Sequence, residues 1–260
     1  DTLAPWRVLL ALAAAVAAVL LAPGELRHTV HLLLQGVCAQ RPSHSLWLAG
    51  QPLPVDARMT GTYLGAASAL LWYLLLGRGQ HAGRFTRGMW ALLGIMVSIM
   101  ALDGLNSLAS DLDLPLAYTP SNGLRLVTGL LAGVAIGALL SHLAVLTMAR
   151  RPRGGWSASS SAMLLPPLLT GAAWCGVATS GLPTLALPVT WLTLGASVAV
   201  LWAMISVLTA IGLGRCWGFS TARQRDETLA LAFVVACLVL AALAGGRALL
   251  EQVTGPVVLS

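Results

Sequence analysis

The sequence contains very little charge. Charged residues make up 9% of the chain and hydrophobic residues 57%, whereas roughly a quarter of the residues in soluble domains are charged. Too few polar side chains remain to cover an aqueous surface, so a single water-soluble globule is excluded. Lysine is absent, and the net charge of +6 comes from arginines scattered among short loops, without a basic stripe or nucleic-acid-binding motif. We therefore expect an integral membrane protein that binds no nucleic acid.

The sequence also lacks the motifs of common enzymes. It contains no phosphate-binding glycine loop, no Ser/His/Asp set and no carboxylate pair at catalytic spacing. Cys175, Cys216 and Cys237 show no paired spacing and are expected to be packing residues. His142 could be a haem ligand or a proton carrier, but we favour a lone histidine hydrogen-bonded to a neighbouring helix. We expect no enzyme, and no metal, haem or other cofactor bound by this chain alone.

The chain does contain long apolar segments. Seven of them could cross a hydrocarbon core of roughly 30 Å as helices. They predict an all-α fold, a polytopic transmembrane helix bundle of about seven helices. The fifth is the least regular, because Pro166 and Pro167 interrupt its first turn. The segments are Trp6–Ala22, Met59–Leu76, Met89–Ala109, Leu124–Met148, Ala162–Ser180, Leu187–Leu213 and Thr228–Gly246.

The arginines lie mainly in alternate loops, which predicts the orientation. By the positive-inside rule these loops are cytoplasmic, so we expect the N-terminus inside and the C-terminus outside the inner (cytoplasmic) membrane of a bacterium. An outer loop then spans residues 23–58. The first segment could be a signal peptide, but no small-x-small cleavage site follows, and we expect it to be retained. A cytoplasmic linker, 149–162, divides a four-helix half, 1–148, from a three-helix half, 163–260.

The beginning of the outer loop has a helical pattern. Glu25–Val37 alternates polar and apolar residues at helical spacing, which predicts a short helix lying in the membrane interface. His28 and His31 share one face of that helix, as a metal-binding pair would need. We favour a simpler role for both as interfacial polar groups.

Two groups of residues after this helix form a pattern. The first is Cys38, Gln40, Ser45, Ala57, Arg58, Thr60, Gly61, Tyr63 and Gly65; the second is Asp103, Gly104, Asn122, Arg125, Thr128, Gly129 and Gly133. In these residues the chain resembles an uncharacterised family of bacterial multi-pass membrane proteins, catalogued as domain of unknown function 2085. The resemblance covers residues 38–133 and implies a membrane protein without implying an activity.

The departures from that family concern possible metal ligands. The family's histidine is Ala39 in this chain, and its Cys-x-x-Cys pair is Asp56 and Met59. A mixed site of Cys38, His44 and Asp56, with His28 as a further ligand, is one alternative. Hard and soft ligands at such loose spacing favour a structural role instead.

Five polar residues are expected to converge at the outer ends of the helices: Arg58, Asp103, Asn106, Asn122 and Arg125. Unpaired charges are costly at this depth, so we expect an ion pair that connects the helix ends, with Arg125 as the partner of Asp103. The alternative is a polar pocket for a lipid or quinone headgroup.

Small residues recur every four positions on two predicted helices. The rows are Gly61, Gly65 and Ala69 on the second helix, and Gly129, Gly133 and Gly137 on the fourth. Such rows let helix backbones approach closely. We expect these two helices to contact each other or a partner subunit.

Two functions remain open. The first is a non-catalytic accessory or structural subunit of a larger bacterial membrane complex, with respiratory or photosynthetic electron transfer as its setting and other membrane subunits and lipids as partners. The second is a stand-alone binding or transport protein that uses Arg58, Asp103 and Arg125. Apolar helices with small-residue faces favour the first. Whether the gently solubilised protein purifies alone or with partners discriminates between them.

Overall fold

The computed structural model describes residues 26–75, 85–148, 161–214 and 222–254. These residues form seven α-helices and one two-stranded hairpin. The elements are α1 (Leu26–Leu34), β1 (Ser45–Leu48), β2 (Gln51–Asp56), α2 (Ala57–Leu75), α3 (Arg87–Asp111), α4 (Asn122–Met148), α5 (Leu165–Thr179), α6 (Ala186–Gly212) and α7 (Ala222–Thr254). Short 3-10 turns at Pro42–His44, Ser161–Leu164 and Pro183–Leu185 precede β1, α5 and α6.

The helical bundle is the predicted fold class. Helices α2 to α7 coincide with the second to seventh predicted segments, and α1 is the predicted interfacial helix. The described residues contain four stretches long and apolar enough to cross a membrane, and these belong to α3, α4, α6 and α7. The first predicted segment, Trp6–Ala22, and most of the linker lie outside the described residues. The division into two halves stays a prediction.

Two of the predicted spans form shorter or more polar helices. Helix α5 has 15 residues, or about 22 Å at 1.5 Å per residue, which is less than the hydrocarbon thickness. Pro166 and Pro167 lie in its first turn, where a missing N–H breaks no helical hydrogen bond, so they begin the helix instead of interrupting it. Helix α2 is described over 19 residues and begins with the polar residues Arg58, Thr60 and Thr62.

The hairpin is the element that the sequence pattern did not predict. Strands β1 and β2 pair antiparallel through a turn in which Ala49 and Gly50 have φ values of +56° and +73°. Two positive φ values are typical of a two-residue hairpin turn. Pro52 and Pro54 disfavour a central strand, because proline has no N–H donor. Each strand of an isolated hairpin has an unpaired edge, so both prolines are tolerated here.

The hairpin and α1 cover one end of the bundle, which we call the hairpin end. Leu48 and Leu53 of the hairpin are buried against Ala178 of α5 and Val189 of α6. Helix α1 joins a second buried group with α6 and α7, formed by Val30, Leu34, Leu194 and Leu240. The N-terminal ends of α2, α4 and α6 therefore meet the C-terminal ends of α3, α5 and α7 at the hairpin end.

Arg247 of α7 fixes the chain that follows α1. Its guanidinium group donates hydrogen bonds to the backbone carbonyls of Gln35 at 2.9 Å, Cys38 at 2.7 Å and Ala39 at 3.2 Å. The same side chain donates to the carboxylate of Glu251 at 2.8 Å. Carbonyls beyond a helix C-terminus have no donor within the helix, and a cation is favourable there. Arg247 therefore attaches the entry to the hairpin to the last helix.

Helices α2 and α4 are in backbone contact. A β-carbon at Gly61 would overlap the carbonyl oxygen of Leu126, and one at Gly133 would overlap the carbonyl oxygen of Thr62. Backbone or neighbouring side-chain atoms of the opposite helix crowd three further positions in the same way: Gly65, Gly129 and Gly137. The two predicted rows of small residues thus face each other within this chain. They are not available to a partner subunit.

Gly133→Ala is expected to destabilise the protein by about 1–3 kcal/mol, because the new methyl group is forced against the backbone of Thr62. The matched control is Gly94→Ala on α3, where an added β-carbon meets none of the described residues within 4 Å. The control should leave stability unchanged or raise it by up to about 1 kcal/mol. Reversible unfolding in mixed detergent micelles measures both variants. Equal effects in the two variants would contradict the close contact.

Candidate functional site

The predicted polar residues meet at the hairpin end, where three helices bring them together. Helix α2 contributes Arg58 from its first turn. Helix α3 contributes Asp103 and Asn106 from its C-terminal third, and α4 contributes Asn122 and Arg125 from its first turn. We call this set the polar cluster: Arg58, Asp103, Asn106, Asn122 and Arg125.

Arg58 and Asp103 form the central ion pair of the polar cluster. The Nη2 atom of Arg58 lies 2.6 Å from Oδ2 of Asp103 and donates to Ser107 Oγ at 2.9 Å. Asp103 is 2% exposed and also accepts hydrogen bonds from the hydroxyls of Tyr118 at 2.8 Å and Thr128 at 3.2 Å. Donors from α2, α4 and the loop between α3 and α4 thus stabilise one buried carboxylate, which would be costly alone.

Asp103 is paired with Arg58 and not with Arg125, the partner expected from the sequence. Arg125 is 6% exposed, and its hydrogen bonds lead to uncharged groups. It donates to Asn122 Oδ1 at 2.8 Å and to Ser107 Oγ at 3.4 Å. Arg58, Tyr118 and Thr128 already occupy the carboxylate oxygens of Asp103. The Arg125 side chain is connected to the ion pair through Ser107, whose hydroxyl accepts hydrogen bonds from both arginines.

Asn106 and Asn122 bind backbone segments that cross the hairpin end. Asn106 accepts a hydrogen bond from the N–H of Ala117 at 3.0 Å and donates to the carbonyl of the following residue at 2.8 Å. Asn122 donates to the carbonyls of Ser43 at 3.1 Å and Ser45 at 3.2 Å. Each amide thus binds backbone groups of a segment outside its own helix. The two asparagines thereby hold the α3–α4 loop and the approach to the hairpin.

His44 lies between the polar cluster and a second ion pair. Its Nε2 atom is 3.2 Å from Arg125 Nη2 and 3.6 Å from Asp111 Oδ1, and Asp111 also pairs with Arg41. A guanidinium nitrogen can only donate, so in the hydrogen bond with Arg125 the His44 Nε2 atom accepts and the ring is neutral. Burial lowers the pKa of His44, and the charge of Arg125 lowers it further.

In the described part of the chain, the residues considered as a mixed metal site do not come together as one group. Cys38 is buried, and its Sγ accepts hydrogen bonds from the backbone N–H groups of Gln40 at 3.4 Å and Asp56 at 3.2 Å. Burial, together with the Asp56 carboxylate, raises the pKa of the Cys38 thiol to about 12. His44 belongs to the edge of the polar cluster, and His28 is exposed on α1. Within the described ranges, no three His, Cys, Asp or Glu side chains are grouped closely enough to hold a metal ion.

His142 lies at the opposite end of the bundle. Its ring stacks on Phe85, with ring centroids 4.2 Å apart and planes inclined by 28°. Phe85 in turn makes an edge contact with Trp90 at 5.4 Å. The contact that the structure gives this histidine is therefore aromatic stacking, where the sequence suggested a hydrogen bond to a neighbouring helix.

Sequence reasoning missed three hydroxyl groups that complete the polar cluster. Ser107 follows Asp103 by four residues and Thr128 follows Arg125 by three, spacings that place each pair on one helix face. That spacing was a usable signal. Tyr118 gave none, because it lies in a loop whose path no periodicity determines.

The polar cluster lies within the part of the chain that is similar to known sequences. A family model described as "Predicted membrane protein (DUF2085)" matches residues 38–139, from Cys38 into α4. An "Uncharacterized protein" of Methanothermobacter thermautotrophicus is 31% identical over 111 residues, which cover 41% of this chain and 89% of that protein. No solved structure matches the chain. The family match therefore includes the hairpin, α2, α3 and the polar cluster, and ends within α4.

Arg58→Ala is expected to destabilise the protein by up to about 3 kcal/mol, because it leaves the buried Asp103 carboxylate without its cation. Adding Asp103→Asn should recover much of that loss. The comparison is a second cycle with Arg125→Ala, whose coupling to Asp103→Asn should be the smaller of the two. Unfolding in detergent provides the free energies for both cycles. A larger coupling for Arg125 would refute the assignment of the ion pair.

The stability of the protein should decrease in mild acid because of His44. Its pKa is lowered in the folded state, so below about 6.5, the usual histidine value, the unfolded chain binds more protons. The contribution of His44 is thus present above that pH and is lost as the pH falls below it. Thermal unfolding at about pH 7.5 and about pH 5.5 measures the difference.

His44→Gln keeps a hydrogen-bond acceptor that cannot be protonated in this range, so its loss of stability between the two pH values should be smaller. His28→Gln, on the exposed face of α1 and away from the polar cluster, is the control for the substitution itself and should leave the stability at about pH 7.5 unchanged. An unchanged difference in His44→Gln would exclude this role.

Proposed function

Because this chain belongs to the DUF2085 family of predicted membrane proteins, we propose that it is a non-catalytic accessory or structural subunit of a larger membrane complex. The complex lies in the inner membrane of a bacterium, with respiratory or photosynthetic electron transfer as its setting. Other membrane subunits and lipids are the partners.

The observation that carries this proposal is the outward face of α3. Its small residues follow one another at spacings of three, four and three, which puts them on one side of the helix: Ala91, Gly94, Ser98 and Ala101. All four are exposed, and they lie opposite the buried face that includes Met89, Leu93 and Met96. Small residues let another helix approach closely in a membrane. We infer that a helix of a partner subunit packs on this face.

The polar cluster supports the non-catalytic part of the proposal. Asp103, Asn106, Asn122 and Arg125 use hydrogen-bonding groups on other residues of this chain. A binding site for substrate needs polar groups that are free to meet a ligand. The contacts instead connect three helices, the hairpin and a loop, which suits a structural role.

A second candidate, ligand binding or transport at the polar cluster, is favoured by one observation. The Nε atom of Arg58 is buried and has no hydrogen-bond partner in the part of the chain that the structure describes. The three hydrogen bonds of this guanidinium all use Nη2. A ligand that supplies an acceptor would remove the cost of this unsatisfied donor. In that case the chain would act alone and depend on Arg58.

We also propose that the hairpin end faces outward, with the N-terminus in the cytoplasm, because the arginines lie mainly in the opposite loops. The buried Cys38 is a poor reporter of this orientation. Ser43→Cys places an exposed thiol beside the hairpin, and a membrane-impermeant maleimide should label it in intact cells. Labelling only after lysis would reverse the orientation.

Assembly into a complex is tested with Gly94→Leu. The wild-type chain, gently solubilised from its native membrane, should co-purify in fixed ratio with cofactor-bearing subunits. Gly94→Leu should strongly reduce that ratio, because the larger side chain blocks close helix approach. The chain should still fold, since no described residue lies within 4 Å of a β-carbon added at Gly94. The control is Gly245→Leu on α7, where an added β-carbon also has no described neighbour within 4 Å and assembly should persist.

Cells that lack this chain should yield less of the assembled complex. The turnover rate of each complex that still assembles should fall less than that yield. If the chain instead purifies alone, with saturable transport or ligand binding that Arg58→Ala abolishes, the second candidate is correct and the subunit proposal fails.

A further inference from the structure

The loop between α3 and α4, residues 112–118, exposes an apolar row. Leu112, Leu114 and Leu116 are 59%, 53% and 43% exposed. They continue a series of exposed leucines along the last turns of α3, namely Leu102, Leu105 and Leu108. Apolar side chains of this size are unfavourable in water when they form a continuous patch. The loop therefore resembles the lipid-facing side of the helix that it follows.

The backbone of the same loop is turned toward the protein. The N–H groups of Leu112, Asp113 and Leu114 donate to carbonyls of the last turn of α3 at 3.1, 3.3 and 2.9 Å. Asn106 binds the N–H of Ala117 and the carbonyl of the next residue, as described above. Pro115 has no N–H to satisfy. The leucine side chains thus point outward, while the N–H groups of Leu112, Asp113, Leu114 and Ala117 donate hydrogen bonds within the chain.

We propose that residues 112–118 lie in the membrane, at the boundary between lipid headgroups and acyl chains, with acyl chains covering the leucines. Irregular backbone facing lipid requires that its polar groups be satisfied by the protein. Asn106 meets this requirement for the Ala117 N–H and the Tyr118 carbonyl, and Asp103 accepts a hydrogen bond from the Tyr118 hydroxyl. Asp113 is exposed, and its carboxylate sets the depth at the headgroup boundary, since a charge is costly among acyl chains.

This location gives two members of the polar cluster a role that needs no ligand. Asn106 is 8% exposed and uses both ends of its amide on the loop backbone. Asp103 binds the loop and the α2 cation at once. The inference rests only on the membrane location of the chain, so it holds whether or not the chain is a subunit of a complex.

The test uses the full chain in bilayers of phosphatidylcholine and phosphatidylglycerol, with its native cysteines replaced by serine and its thermal stability checked. An environment-sensitive fluorophore on Leu114→Cys should be quenched by a lipid nitroxide near the headgroup and several-fold less by aqueous iodide than the same fluorophore on Ser43→Cys. Ser43 is the matched exposed position beside the hairpin. Iodide quenching at residue 114 equal to that at residue 43, or no quenching by the lipid nitroxide, would overturn the proposal.

The role of Asn106 is tested with the same label. Asn106→Ala leaves the backbone groups of Ala117 and Tyr118 without partners, so iodide quenching at residue 114 should rise by about twofold or more. Asn122→Ala removes contacts to the hairpin approach instead and should leave the quenching unchanged. If Asn106→Ala fails to fold, Asn106→Asp, which keeps the acceptor for Ala117 and loses the donor, should give a smaller rise. No rise in either Asn106 variant would refute its role.

Discussion

The backbone contact between α2 and α4 determines where the groups of the hairpin end can lie. A β-carbon at Gly129 would overlap the carbonyl oxygen of Arg58, so Arg58 leaves α2 directly beside the first turns of α4. From there its side chain reaches Asp103 on α3. A larger residue at Gly129 would move the two helices apart and lengthen that ion pair. The close packing of α2 against α4 therefore also positions the two charges of the ion pair.

The surrounding lipid explains why the polar cluster is so extensively connected. Hydrogen bonds are stronger in a medium of low dielectric constant, and an unmade hydrogen bond costs more. Asp103 meets this constraint with donors from three elements, and Asn106 meets it for a loop. Each contact that satisfies a polar group also fixes one element relative to another. We regard this as the reason that polar residues are tolerated in so apolar a chain.

The parts of the fold that follow from local periodicity could be predicted, and the parts that depend on helix rotation or long-range contact could not. Hydrophobic length identified α3, α4, α6 and α7, because membrane thickness sets how long such helices must be. Spacing identified the faces that hold Gly61 and Gly133, but a spacing does not say what lies opposite. The depth of Arg58 and Arg125 was predictable, whereas their partners depend on how each helix is rotated. The prolines concealed the hairpin, since the rule against proline in strands applies to strands paired on both sides.

The last helix is connected to the first part of the chain by contacts that no local pattern indicates. Arg247 binds the carbonyl of Cys38 across 209 residues of sequence, and a β-carbon at Gly36 would meet the backbone between Leu243 and Ala244. Cys38 and Ala39 are the first two residues of the segment that matches the family model, whereas Arg247 lies beyond that segment. A chain that ended after α4 would lack that donor, and the carbonyls of Cys38 and Ala39 would then need one from water, a second chain or a lipid headgroup. In this chain, Arg247 of α7 supplies that donor.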